Sequence, residues 1–128
     1  MKENIQLKVT INKVSPVFED DRGKIFDLLD DEVIMHVGII TSEPGAIRGN
    51  HFHEITKQFN YIIKGKAKLN IKYVDNGTEE LFEVGVGDLI SIPPRVVHTF
   101  TAIDYFVMLD LNTLSRSDDG YEKDTIRV

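Results

Sequence analysis

The chain has 128 residues, 41% hydrophobic and 28% charged, enough for one domain that buries roughly two-thirds of its unfolded-chain surface. Acidic residues outnumber basic ones 21 to 15, a net charge of −6, so no nucleic-acid-binding surface is expected and an anionic ligand would have to be met by a few local arginines. Cysteine is absent, which excludes disulfides, thiolate ligands and cysteine nucleophiles and fits a cytoplasmic protein.

The N-terminal MKENIQLKVTINK has no signal-peptide core. Ile5, Leu7, Val9 and Ile11 alternate with polar residues, the period of a half-buried strand over residues 5–14, which Ser15-Pro16 ends. An acidic turn (residues 19–23) precedes a short strand at 24–29, and Asp30-Asp31 turns the chain into a strand at 33–41. That strand is apolar on both faces, as expected where both sides are covered. It is also the longest apolar run, interrupted by His36 and too short to span a bilayer, so no membrane association is expected. After a Glu43-Pro44-Gly45 turn and a histidine-bearing segment, residues 66–74 alternate again. Asp75-Asn76-Gly77 predicts a tight type I′ hairpin into a return strand at 78–84. Strands at 89–92, 96–100 and 103–111 follow, Pro93-Pro94 separating the first two. The tail, residues 115–128, is polar and reads as loosely ordered or docked on a neighbour. Many short strands, frequent turns and no helical period predict an all-β fold, a double-sheet jelly roll forming a single domain over 1–128.

Chemistry concentrates between Gly45 and His98. His51 and His53, two apart on a strand, point to one face. Gln58 has the wrong parity to join them unless residues 54–57 turn and a new strand begins. A third histidine, His98, closes the segment GDLISIPPRVVH. Three imidazoles and a carboxamide make either a general-base centre or a site for one divalent transition metal, with His51, His53, Gln58 and His98 as ligands. Zn, Ni, Mn and Fe all suit such donors. Asn60 shares the parity of Gln58 and is expected to line the same cavity. Arg48 precedes Gly49, where missing bulk permits close backbone approach or a bulge. Arg95 follows two prolines on a stiff loop near His98, where it either meets substrate or is a solvated charge. His36 reads as a satisfied core histidine. Tyr73 and Tyr105 are the candidate phenol acids, without an assigned place.

Gly45, His51, His53, Gln58 and Gly65 match the first motif of the cupin superfamily, G-x5-H-x-H-x4-E-x6-G, with glutamine in the glutamate slot. Gly87, Pro93, Arg95 and His98 match the second, G-x5-P-x-G-x2-H, with arginine in the second glycine slot and Ala102 in the final asparagine slot. RGNHFH followed by KQF and IPPRVVH resembles, more narrowly, the dTDP-sugar 3,4-ketoisomerases and the dTDP-4-dehydrorhamnose 3,5-epimerases. The resemblance implies an RmlC-like jelly roll (a double-stranded β-helix) and a homodimer working in polysaccharide biosynthesis. It implies that His51 and His53 transfer protons on a nucleotide-linked keto-sugar, with Arg48, Asn60 and Arg95 contacting substrate and no organic cofactor. Two other readings keep the fold: a metal-dependent cupin (a dioxygenase or metal-assisted isomerase), and a non-enzymatic module that binds a small molecule. The tail has no clear counterpart in the ketoisomerases.

Overall fold

The computed structural model describes residues 8–128. Ile5 and Leu7, the first half of the expected N-terminal strand, lie outside the described residues. The strands are β1 (Thr10–Lys13), β2 (Phe18–Asp20), β3 (Gly23–Ile25), β4 (His36–Ser42), β5 (Ile47–His53), β6 (Gln58–Lys64), β7 (Lys66–Tyr73), β8 (Glu79–Gly85), β9 (Asp88–Ile92), β10 (Val96–Ala102) and β11 (Phe106–Asn112). A 3-10 turn (Ser117–Asp119), a short helix α1 (Gly120–Lys123) and β12 (Thr125–Arg127) complete the chain. One antiparallel five-stranded sheet runs β1-β9-β6-β11-β4 and faces a second, β12-β5-β10-β7-β8, while β2 and β3 pair only with each other. This is the jelly roll.

Two layers divide the space between the sheets. At one level Ile62 and Met108 are register partners, and Leu69, Ile90, Phe100 and Phe106 join them in the apolar core. Each such side chain contributes about 1.5–3 kcal/mol by leaving water. Further along the same strands the inward positions turn polar together: Asp110 opposes Asn60, and Asn112 opposes Gln58. Across the gap, His98 on β10 opposes His51 on β5. The site is therefore the polar end of the interior, set by where three strands change inward residue type at one height.

Gly49 makes that approach possible. Its φ is +101°, and a Cβ there would lie 2.5 Å from the His98 carbonyl oxygen. The β5–β10 ladder slips register between His98 and Thr99, the bulge expected near this glycine.

Four expectations change. The strand at 33–41 starts at His36 as β4 and forms a sheet edge, with Val37 and Ile39 62% and 67% exposed, so its outer face is an uncovered apolar surface. The strand at 24–29 shrinks to β3, because it pairs with β2 as a hairpin. The β7–β8 turn is not type I′: Asn76 uses its side chain to accept the Thr78 N–H at 2.9 Å, and within 75–77 only Gly77 has positive φ. The tail is not loose. It folds back on its own chain, β12 pairing with β5 (Thr125 opposite His53, Arg127 opposite His51). Among the described residues no helix is long and apolar enough to cross a membrane.

Candidate active site

The three histidines converge. Ring centroids lie 4.7 Å apart for His51–His98, 5.0 Å for His51–His53 and 5.5 Å for His53–His98. One nitrogen from each falls within 4.8 Å of the others. Nδ1 of His98 lies 3.1 Å from the Val96 carbonyl, which can only accept, so Nδ1 carries the proton and Nε2 a lone pair. That buried Nε2 has no partner, and neither does Gln58 Oε1. Gln58 is held from its other end, Nε2 donating to Asn60 Oδ1 at 2.7 Å.

A turn over residues 54–57 does bring Gln58 back beside the histidines, and its clamp comes from the tail. The Asp124 carboxylate accepts the backbone N–H groups of Glu54, Ile55 and Thr56 at 3.2, 3.1 and 2.8 Å, and the Thr56 hydroxyl at 2.5 Å. The same tail delivers Tyr121, a buried residue whose hydroxyl lies 3.3 Å from His53 Nε2; Thr125 Oγ1 is 3.3 Å from Nδ1 of that ring. The site's phenol is thus Tyr121. Tyr73 hydrogen-bonds the Val9 N–H and Tyr105 lies under Lys64, and neither reaches the site.

A cavity of about 260 Å³ opens onto the cluster, lined in part by Arg48, His51, Gln58, His98, Asp110 and Tyr121. Arg116, Glu122 and Arg127 complete its mouth from the tail. Larger grooves of about 490 and 580 Å³ run elsewhere and include none of the three histidines. His53 stands behind Tyr121 and does not line the cavity. Asn60 is fully buried beneath Gln58 and Asp110, so it braces the wall and does not form it. Arg48 is fixed at the edge by bonds to Ser42 Oγ (3.2 Å) and the Thr41 carbonyl (2.8 Å). Arg95 is a clamp, away from the cavity: its guanidinium binds Glu54 (2.7 Å) and Asp75 (2.9 Å), and its N–H donates to the His53 carbonyl (2.7 Å). His36 is satisfied by Asn112, with Nδ1 3.2 Å from the amide nitrogen.

Residues 18–125 match the model of the polysaccharide biosynthesis C-terminal domain family. The chain belongs to that family. It is also 33% identical over 84 residues to the oxalate decarboxylase OxdC of Bacillus subtilis, covering 62% of this chain and 22% of the decarboxylase, about a fifth of that relative's length. Among solved structures it resembles the sugar 3,4-ketoisomerase QdtA of Thermoanaerobacterium thermosaccharolyticum. A doubly substituted form of QdtA in complex with TDP matches at 25% identity and TM-score 0.73, over 97% of this chain and 90% of that one. Another QdtA variant, in complex with TDP-4-keto-6-deoxyglucose, matches at 21% identity and TM-score 0.74 over the same shares, 97% and 90%. The rmlC epimerase of Mycobacterium tuberculosis matches at 14% identity and TM-score 0.75, over 93% of this chain and 69% of that one. The cupin jelly roll expected from the two motifs is thus the fold of this family member.

Burial governs the electrostatics of the site. Desolvation, then the neighbouring His53, lowers the pKa of His51 to about 4. Desolvation, then His51, lowers that of His98 to about 3. Burial lowers His53 too, and pushes the Tyr121 phenol up to about 12. Near neutrality all three imidazoles are uncharged and offer lone pairs, while the phenol keeps its proton. This donor set, with unpartnered His98 Nε2 and Gln58 Oε1, suits a divalent transition ion.

These shifts predict acid lability. A histidine whose folded pKa lies below its unfolded value of 6.5 binds more protons when unfolded, so stability is complete above about pH 6.5 and falls as the pH drops toward the folded values. Thermal melts with chelator should therefore show the melting temperature falling between pH 7 and pH 4, with the fall reduced in His98→Gln. Equal slopes in the two proteins would mean that His98 is not buried neutral.

Proposed function

We propose that this chain is an isomerase or epimerase of a nucleotide-linked keto-sugar. The observation that carries this reading is one cavity faced by a neutral imidazole (His51), a protonated phenol (Tyr121) and three guanidinium groups (Arg48, Arg116, Arg127). Moving a proton beside a carbonyl requires a base on one side and an acid on the other, each worth about 10²–10⁴ in rate. His51 is the base. Its basicity is low in the empty cavity, and a bound diphosphate would raise it by favouring imidazolium. Tyr121 is the acid, its phenol hydrogen-bonding the carbonyl oxygen as charge develops there, with His53 behind it orienting the hydroxyl. The arginines suit the oxygens of a nucleoside diphosphate, since a guanidinium can bind such oxygens in pairs.

The test is turnover of TDP-4-keto-6-deoxyglucose in D2O, read by mass and NMR. We expect deuterium at the carbon next to the carbonyl together with an isomeric product, both lowered about a hundredfold or more in His51→Asn. Tight binding by the native protein with no exchange would leave the binding-module reading.

A second reading is favoured by the unpartnered His98 Nε2 and Gln58 Oε1. His51, His53, His98 and Gln58 would hold one divalent ion (Zn, Ni, Mn or Fe), which when bound would supply Lewis-acid polarisation of the substrate carbonyl. Calorimetry with Mn, Fe, Ni and Zn discriminates. If the centre holds metal, Gln58→Glu adds a charged oxygen and affinity should rise about tenfold, or about 1.4 kcal/mol. If it works without metal, the new carboxylate should raise the histidine pKa values seen by NMR with no gain in bound metal. No change in either would mean that Gln58 does not face the cluster.

The protein acts as a homodimer in this proposal. The β2–β3 hairpin leaves Val17, Phe18, Ile25 and Phe26 between 41% and 61% exposed, and a lone two-stranded ribbon is marginal in water. With the uncovered outer face of β4, these residues are surface that a second copy would bury. Light scattering at micromolar concentration should give twice the chain mass; a monomer would remove the claim.

A further inference from the structure

One buried acid has no part in the chemistry above. Asp110 sits on the inward face of β11, 3% exposed, on the wall of the cavity that His51, Gln58 and His98 also line. Its two carboxylate oxygens each accept one amide proton, Oδ1 from Asn60 Nδ2 at 3.0 Å and Oδ2 from Asn112 Nδ2 at 2.9 Å. No ion pair involving Asp110 occurs among the described residues. A carboxylate buried without a cation is costly to desolvate. Two of its four lone-pair directions remain for a ligand. Its neighbours cannot fill them: Gln58 Oε1 and His98 Nε2 are acceptors that themselves lack donors. This wall asks for a ligand that brings O–H groups.

We propose that Asp110 is a catalytic residue, the carrier that moves the hydroxyl proton between the two adjacent oxygens of the reacting α-hydroxy ketone. The proposal rests on the isomerase reading above. In that reaction the base takes the C–H proton from the hydroxyl-bearing carbon, and the electron pair forms the enediol carbon–carbon double bond as the carbonyl π pair moves onto oxygen. One Asp110 oxygen takes the hydroxyl proton, and the carboxyl group delivers it to the former carbonyl oxygen. The first oxygen then becomes the carbonyl, and the base returns its proton to the neighbouring carbon. Atoms and electrons balance within the substrate, and no oxidant or reductant is needed. The two oxygens of a carboxylate are spaced to face vicinal oxygens, and the Asn60 and Asn112 amides fix their plane.

Asp110→Asn tests this with TDP-4-keto-6-deoxyglucose in D2O. The base step does not require Asp110, so deuterium should still enter at the hydroxyl-bearing carbon within about tenfold of the native rate, while isomer formation falls about a hundredfold or more. An unchanged ratio of isomerisation to exchange, with the native protein active, would overturn the role of Asp110 alone. Loss of both activities in a folded variant would also overturn it, since Asp110 would then serve binding or the base. If Asp110→Asn does not fold, Asp110→Glu keeps the charge and displaces the oxygens. It should lower the ratio of isomerisation to exchange, and an unchanged ratio would again overturn the proposal. A native protein that neither exchanges nor isomerises would remove the isomerase reading and this inference together.

Discussion

The carboxylate of Asp124 is the interaction on which the site depends. It gathers three successive backbone N–H groups and a hydroxyl from the turn between β5 and β6. Bonds to a charged acceptor are worth about 1.5–3 kcal/mol each, well above the neutral average. Because the turn is held, β6 begins at Gln58 and carries Gln58 and Asn60 inward. Because the holder lies in the tail, β12 is drawn against β5 and Tyr121 is set beside His53. One acid thus fixes both the strand that forms the floor and the segment that forms the wall.

The interior built this way has a one-sided hydrogen-bonding balance. The buried side-chain atoms without a partner among the described residues are Gln58 Oε1, His98 Nε2 and Asn112 Oδ1, all acceptors. Gln58 and Asn112 belong to one run of polar side chains, Gln58–Asn60–Asp110–Asn112, that ends at His36, and His98 lines the same cavity from the other sheet. Native interiors seldom leave such groups unmet, since each costs about 1–3 kcal/mol. That cost is retained where it serves binding. A cation or a hydroxyl-rich molecule would satisfy these atoms, whereas an apolar ligand would strand them.

The sequence made the floor of the candidate site legible because strand parity is strict. Two histidines at a spacing of two must share a face, and a turn of the right length restores Gln58 and Asn60 to it. Asp110 was hidden in FVMLDLN, since apolar residues occupy both faces of β11 and alternation there cannot say which is inward. Only pairing with β6 decides it. Tyr121 was hidden for another reason: its segment is polar and gains order from the Asp124 clamp and from pairing with β5, both contacts distant in sequence. A lone aromatic in an otherwise polar tail was the available signal. Arg95 misled because closeness in sequence to His98 says nothing of side-chain direction, and its φ of +63° turns the chain at that residue.

The charge distribution bears on how a substrate would enter. With a net charge of −6 the chain does not draw anions from a distance, and at physiological salt such fields fade over about 8 Å. Attraction must come from the mouth itself, where the arginines are only lightly engaged. Arg127 pairs with Glu122 at 2.6 Å, but both side chains are more than half exposed, and such pairs are worth about 0–1 kcal/mol. Arg116 stacks over the Tyr121 ring at 4.7 Å and keeps its N–H donors free of that contact. A phosphate can therefore take Arg127 from Glu122 at little cost. Arg116 and Arg127 both lie on the segment that carries Tyr121, so engaging them would press the phenol toward the histidines. Substrate recognition and the acid would then be coupled through one short stretch of chain, anchored by Asp124.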